Sequence, residues 1–343
     1  MLRKWMMGVV AGAVALAGVA TTESAEAQER GPGLGRSENV LKMGSLAPEQ
    51  SPWAQVLKVW QRAVKERTGE QLVIRFYWNG TQGDEASMVE KVSSGQLHGL
   101  VSTAVGLGKI HKPILALQMP GVFGSWGKLD QARNTLMDEF QTGANAKGFR
   151  ILGWGDVGRM HWYSRGYAVT NPASLAGKKP YVWREDDNHR TLFRSIPGVT
   201  PVPLGVPEVL PALNANRIDT IHTPALTCGQ LQWVSRFDHV VTDSHAFMVG
   251  ALVMSKTAVD ALPKDQQDVL IDTGKLAAGE LTTRIRNEDN AALERQKKKL
   301  TPHSLTDAEK AEWSQLYQTV RQRLGQQGVY SPDLISKIER LGK

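Results

Sequence analysis

From Leu41 onward the sequence sets out an α/β pattern and then starts it again, and that restart constrains the fold more than any other feature. LKMGSLA (Leu41 to Ala47) has strand character. Ser51-Pro52 then offers an N-cap and a first-turn proline to WAQVLKVWQRAVKERTG, where Val56, Val59, Trp60, Ala63 and Val64 recur at helical spacing and Gly69 stops the helix. LVIRFYW (Leu72 to Trp78) is a second strand with Asn79-Gly80 as its turn, Asp84 opens a helix through Val92, and LHGLVSTA (Leu97 to Ala104) is a third strand. The pattern resumes with strand-like FRILGWG (Phe149 to Gly155), KPYVW (Lys179 to Trp183), VTPVPL (Val199 to Leu204) and IDTIHT (Ile218 to Thr223), with DNHRTLFRS and PEVLPALNAN as helices between the later ones. Two successive α/β units predict two lobes. AFMVGALVMS (Ala246 to Ser255) is too apolar for a linker, and an amphipathic helix from Pro263 to Leu300 is long enough to cross both lobes. Two helices, Asp307 to Leu324 and Ser331 to Leu341, follow it.

At 343 residues, 41% of them hydrophobic, the chain can build substantial cores in both lobes. Arg3 and Lys4 precede an apolar run from Trp5 to Ala20 and then Ala25-Glu26-Ala27, which reads as a secretory signal peptide over residues 1–27. The apolar run falls short of the roughly 20 residues that span a bilayer. The expected mature chain starts near Gln28 with a loose segment to Glu38, is exported, and is not inserted in a membrane. Its single cysteine, Cys228, cannot form an internal disulfide and reads as a small buried side chain. The net charge of +7 survives removal of the signal, because Arg3 and Lys4 are balanced by Glu23 and Glu26. The one dense basic cluster, Lys297-Lys298-Lys299, ends the long helix and complements its dipole, so nucleic acid is not an expected partner.

Motifs for chemistry are scarce. G-x-x-x-x-G-K-[ST] does not follow a strand, no G-x-S-x-G elbow occurs, and the eight histidines lack metal-ligand spacing. No cofactor or metal is expected. Glu185-Asp186-Asp187-Asn188-His189 is the densest acidic cluster, and acids just ahead of a helical run are ordinary N-terminal residues. Ten tryptophans stand out, and Trp78, Trp154, Trp162 and Trp183, with Tyr181, could wall a cleft or pack a core.

Taken in order, LKMGSLAPEQSPW, AVKERTGEQLVIRFYWNGTQGDEASMVEKVSSGQLHGL, LQMPGVF, NPASLAGKKPYVW and VPLGVPEVLPALNANRIDTIHTP, followed by the long helix after LPKDQQDVL, resemble the DctP-type extracytoplasmic solute-binding proteins of TRAP transporters over nearly the whole mature chain. The resemblance implies a two-lobed periplasmic binding-protein fold (α/β, type II-like) with mixed sheets flanked by helices. Lobe I would comprise 39–153 and 244–272, and lobe II 154–243 and 273–343. It also implies a monomer that closes on a small-molecule solute and presents it to a TRAP-type permease.

In most such proteins an arginine in a K-x-R-V segment holds a ligand carboxylate through a bidentate pair. By the resemblance that place falls on Tyr181. A second arginine found in some members falls on His161, the asparagine of an E-N-P segment on Thr223, a polar contact after the first strand near Leu46, and an acidic one after the third strand on Thr103. Each change removes charge or polarity. A carboxylate buried without a paired cation costs several kcal/mol, so the expected ligand is neutral, aromatic or lipophilic, seated against Tyr181, Trp183, Trp162 and Trp154. Arg159 or Arg184 would supply a cation if the ligand is an acid. Glu208 matches a family glutamate that orders its lobe or touches the solute, and His222 beside Thr223 faces either the cleft or its own lobe. The alternative of an exported enzyme needs His161 or His222 beside Glu208 or the Asp186-Asp187 pair.

Overall fold

The computed structural model describes residues 39–343; the proposed signal peptide, 1–27, and the loose segment, 28–38, lie outside the described residues. In chain order the elements begin β1 (Asn39–Ser45), α1 (Pro52–Arg67), β2 (Leu72–Tyr77), α2 (Glu85–Ser93), β3 (Gly99–Thr103), α3 (Ala104–Ile110), α4 (Trp126–Ala146) and β4 (Phe149–Ser164). There follow β5 (Tyr181–Trp183), α5 (Asp187–Arg194), β6 (Val202–Leu204), α6 (Val206–Asn214), β7 (Thr220–Pro224), α7 (Ala225–Gln230), β8 (His239–Val241) and β9 (Phe247–Ser255). The chain ends with α8 (Lys256–Asp260), α9 (Lys264–Lys297), β10 (Thr301–His303), α10 (Asp307–Gln326) and α11 (Pro332–Gly342).

The predicted α/β units are present, and two strands join them. β2, β1 and β3 lie parallel, β9 runs antiparallel to β3, and β4 runs antiparallel to β9. β4 is longer than its sequence suggests. Its segment up to Arg159 pairs with β9, and from Met160 it pairs with β7 and then β8, beyond which β10 adds in parallel. The result is one eight-stranded mixed sheet. A separate parallel pair, β5 with β6, stands beside β7 through a bridge from Pro180 to Thr220. Glycines at 153, 155 and 158 disguise the continuity of β4, because glycine is a poor strand former. Two register shifts, at Ile151/Gly153 and Asp156/Gly158, accommodate them.

The 34-residue α9 crosses both units, as its length implies. Near one end Thr273 Oγ1 accepts from Trp60 Nε1 of α1 at 3.0 Å, and near the other Gln296 Nε2 donates to the Ala225 carbonyl at the start of α7 at 2.8 Å. Between them the helix lies hard against β4: a Cβ on Gly153 would stand 2.6 Å from that of Ala278. Only a bare backbone on one side and a methyl on the other allow that approach. Asp289, buried, reaches into the second register shift and accepts from the backbone N–H of Arg159 (2.9 Å) and of Leu226 (2.8 Å). Burial raises its pKa to about 6 against those hydrogen bonds.

Residues 105–148 have no assigned element on sequence grounds beyond the LQMPGVF landmark, yet they hold most of α3, a 3-10 stretch (Lys112–Gln118) and α4. The buried face of α4, Leu129, Ala132, Arg133, Leu136, Phe140 and Ala144, has helical spacing once Arg133 is counted as buried. That arginine is exempt from the usual penalty because Asp156 and Asp130 accept from it at 2.8 and 2.7 Å. Cys228 is fully buried in α7, where burial raises its thiol pKa well above normal.

Candidate functional site

The loop after β1, the ends of β3 and α2, the middle of β4 and of β9, and the β5, α5 and β7 segments converge on one cleft. It encloses about 120 Å³. That is room for roughly ten waters, or one small organic molecule. Tyr181, Trp183, His222, Thr223, Thr103 and Leu46, all singled out by sequence, line it.

Tyr181 and Trp183 project from the same face of β5, as residues two apart must. The indole Nε1 of Trp183 donates to Asp84 Oδ2 at 2.7 Å, so this tryptophan ties the second α/β unit to the N-terminus of α2. Burial raises the Asp84 pKa, the Trp183 bond opposing it. Lys109 with Glu185 and Lys112 with Asp187 add ion pairs across the same divide. Tyr181 meets the edge of Trp233 at 6.2 Å between ring centroids, and its hydroxyl has no hydrogen-bond partner. Trp53 Nε1 and Thr227 Oγ1, on residues that also line the cleft, are likewise buried and unpartnered. Three idle polar atoms around one cavity are unusual, since buried polar groups are nearly always satisfied.

Among the described residues no lysine or arginine lines the cavity. Its acids are already engaged. Glu85 accepts from Thr103 N, Thr103 Oγ1 and Gly106 N, each at 2.8 Å, and from Ser102 Oγ at 3.2 Å. Burial nevertheless raises its pKa to about 7. Asp156 is bridged by Arg133 (2.8 Å) and Arg286 (2.7 Å). Asp186 caps α5 by accepting from the N–H groups of Asn188 (3.0 Å) and His189 (3.2 Å), and it also holds the His189 ring: Oδ2 lies 2.6 Å from Nδ1. These contacts keep the Asp186 carboxyl below its ordinary pKa although burial pushes the other way. His189 Nε2 in turn lies 2.8 Å from His222 Nδ1.

Six of the sequence-selected residues lie outside the lining. Arg159 stacks over Trp126 and Phe247, 5.9 and 5.4 Å from their ring centroids, with its buried Nε unpartnered, and does not line the cavity. Arg184 bonds Glu208 at 2.7 Å on the half-exposed outer side. Glu208 also accepts from Gly205 N at 2.6 Å, closing the first turn of α6. His161 lies 3.2 Å through Nδ1 from the Val241 carbonyl, and burial lowers its pKa to about 4. Trp162 stands behind the wall, stacked on His222 at 4.2 Å and on Trp313 at 5.5 Å. Trp154 packs toward Phe140. The enzyme grouping of His161 or His222 with Glu208 is thus not assembled, whereas Asp186 and His222 are joined through His189. His189 escapes a sequence reading because its partner at 222 is 33 residues away.

An α/β chain in which two units share crossing strands and a spanning helix, with the cleft at the crossing, has the build of a two-lobed solute-binding protein. The family model for bacterial extracellular solute-binding proteins, family 7 (DctP), matches residues 43–327, and the chain belongs to that family. A solute-binding protein of Verminephrobacter eiseniae is 22% identical over 254 residues, covering 74% of this chain and 75% of its own. Among solved structures, a TRAP periplasmic solute-binding protein of Sulfurospirillum deleyianum with bound succinate superposes with a TM-score of 0.82 at 18% identity, covering 89% of this chain and 99% of its own. The sugar acid binding protein of Advenella mimigardefordensis in complex with galactonate gives 0.83 at 14% identity, covering 89% and 98%.

Proposed function

We propose that this chain is an exported receptor that seats one small, largely apolar organic solute in the cleft and presents it to a TRAP-type membrane permease by lobe closure. The carrying observation is that, among the described residues, no lysine or arginine lines the cavity. A dicarboxylate or sugar acid brought there by itself would leave charge unpaired in a dry site, at a cost of several kcal/mol. Succinate and galactonate in the solved neighbours are acids and lend no support to a neutral ligand; the reading rests on the cavity of this chain. Tyr181 and Trp183, with Trp53 and Trp233, supply aromatic surface, and the unpartnered atoms Tyr181 Oη, Trp53 Nε1 and Thr227 Oγ1 are free to meet a carbonyl or hydroxyl. Among the described residues no helix is long and apolar enough to cross a membrane, which fits a receptor that works beside a permease.

Closure would pivot where β4 changes partners, with α9 as the spanning element and the Trp183–Asp84 bond as a fastening on the closed side. A thermal-shift screen of dicarboxylates, keto acids, aromatic acids and neutral lipophiles tests the reading, because a ligand bound to the native state raises Tm by mass action. Large shifts are expected from the aromatic and lipophilic compounds. Large shifts from C4-dicarboxylates, abolished by Arg159→Ala or Arg184→Ala, would overturn it in favour of a carboxylate receptor built on one of those arginines.

A further inference from the structure

We infer that the end of the second α/β unit away from the cleft is a basic face that adsorbs reversibly to anionic phospholipid headgroups. The adsorption belongs to the outer surface and does not depend on what the cleft holds.

Strand direction gathers the charges. β4 runs antiparallel to β7 and β8, and Ser164 at its close stands opposite Thr220 and His239, the first residues of those strands. β10 begins at Thr301 beside His239, and Pro180, just ahead of β5, bridges to Thr220. The segment after β4 and the segments before β5, β7, β8 and β10 therefore meet at one edge. Thr223, near the other end of β7, lines the cleft, so this edge lies away from it. Each segment brings cations to the edge. Lys178 and Lys179 precede β5, Arg217 precedes β7, Arg236 precedes β8, and Lys298 and Lys299 precede β10.

Arg165, which follows β4, joins them. Its guanidinium donates through Nε to the Arg236 carbonyl at 2.8 Å, through Nη2 to the Leu213 carbonyl at 3.2 Å, and through Nη1 to Asn216 Oδ1. These neutral acceptors leave its charge uncancelled. Lys178 Nζ lies 4.2 Å over the Tyr167 ring. Among the described residues none of these cations is ion-paired, whereas the adjoining Lys297 is paired with Glu294 at 2.8 Å. The acids within these segments are Asp219, which accepts from Lys179 N at 3.1 Å and from Thr220 Oγ1 at 2.8 Å, and Asp238, which accepts from Gly166 N at 2.8 Å. Glu208, which feels the charge of Arg217, is bonded to Arg184 at 2.7 Å. The cations outnumber the acids, and crowded like charges repel one another until an anionic partner relieves them.

The chemistry of the edge favours lipid over protein. Among the described residues the large exposed hydrophobic side chains are Val59, Met137 and Leu276, on α1, α4 and the first half of α9, so this edge offers nothing to form the dry centre of a protein interface or to insert among acyl chains. Cations spread over several loops suit headgroups that move laterally to meet them. Each Lys or Arg held within a Debye length of an anionic surface strengthens adsorption about fivefold. An exported receptor held in this way would search for its permease along the membrane, with the cleft turned clear of the headgroups.

The test is co-sedimentation of the mature protein, residues 28–343, with vesicles of phosphatidylcholine alone and with vesicles containing about one-third phosphatidylglycerol, at about 0.05 M and about 0.5 M salt. Binding is expected to the phosphatidylglycerol vesicles, at low salt only. Lys179→Gln, Arg236→Gln, Lys298→Gln and Lys299→Gln combined in one chain should weaken it by about tenfold or more. Lys42→Gln, Arg62→Gln, Lys147→Gln and Lys275→Gln combined in another remove the same charge away from this edge, and should leave binding within about threefold of the wild type. All of these side chains are exposed, so both variants should keep the wild-type Tm. Equal losses in the two variants would mean that net charge acts and not this face, and would overturn the inference. So would absence of binding at low salt, binding that survives high salt, or binding to phosphatidylcholine alone. Binding to poly-glutamate without binding to either vesicle would transfer the face to an acidic protein and would overturn it as well.

Discussion

Glu85 is the group whose replacement most sharply separates the consequences of burial from those of hydrogen bonding. It is 2% exposed, accepts four hydrogen bonds, and has a pKa raised from 4.5 to about 7. Because the folded value lies above the unfolded one, the native state binds more protons between those limits. The stability this group contributes is therefore fully present below pH 4.5 and is lost as pH rises through about 7. A shift of that size corresponds to about 3 kcal/mol. Glu85→Gln replaces the acid by a side chain of the same shape that cannot ionise, with one accepting oxygen and an NH2 that carries two donors where the protonated acid carries one. Near pH 5 the variant should lie within about 1 kcal/mol of the wild type, the uncertainty of one exchanged hydrogen bond. By pH 8 it should be relatively more stable by about 3 kcal/mol. Urea unfolding followed by tryptophan fluorescence at half-unit pH steps, without ligand, reads the difference. Parallel stability curves for the two proteins would refute the argument, since they would mean that Glu85 ionises in the folded state as readily as in the unfolded chain.

Asp156→Ala should be the most destabilising of the other changes, at about 3 kcal/mol or more by denaturant titration, because it removes the shared partner of the buried Arg133 and of Arg286. Gly158→Ala places a Cβ 2.6 Å from the Asp289 carboxyl at a φ of +149°, and should lower stability by about 2 kcal/mol or more with loss of Tm. Trp183→Phe removes a bond to a buried carboxylate worth about 2 kcal/mol, so small-angle scattering of the ligand-free protein should show a larger radius of gyration than for the wild type. Tyr181→Phe deletes a buried hydroxyl that has no partner, and should raise ligand-free Tm slightly, by about 1 kcal/mol of stability, while weakening any ligand that bonds the hydroxyl; a lower Tm would show that the oxygen is satisfied after all.

Local signals carried the fold well where they act within one element. Ser51-Pro52 caps α1 with the Ser51 side chain accepting from Ala54 N, and the apolar stripe of the long helix marks α9 to within three residues of its observed ends. They were weaker where tertiary contact decides. The length of β4 is set by its pairing first with β9 and then with β7 and β8, and α4 hides its periodicity behind a buried arginine whose partner Asp156 is 23 residues ahead. The site divides in the same way. Tyr181 and Trp183 are visible because they sit together in one short strand, and His222 and Thr223 because they adjoin in another. Trp53, Thr227, Trp233 and His189 line the cavity through long-range packing that no spacing announces. The i,i+3 pairing of Asp186 with His189 is the one local trace of that packing.

The position that the resemblance assigns to the carboxylate clamp lies on β5, three residues long and paired with β6 in a sheet of its own. The eight-stranded sheet and α9, which carry most of the long-range order, do not pass through it. A change at position 181 can therefore alter what the cleft will hold without rewriting the ladder that folds the chain. For a lineage of receptors facing a new nutrient, the cargo can be exchanged at the margin of the architecture while the crossing strands and the spanning helix are inherited intact.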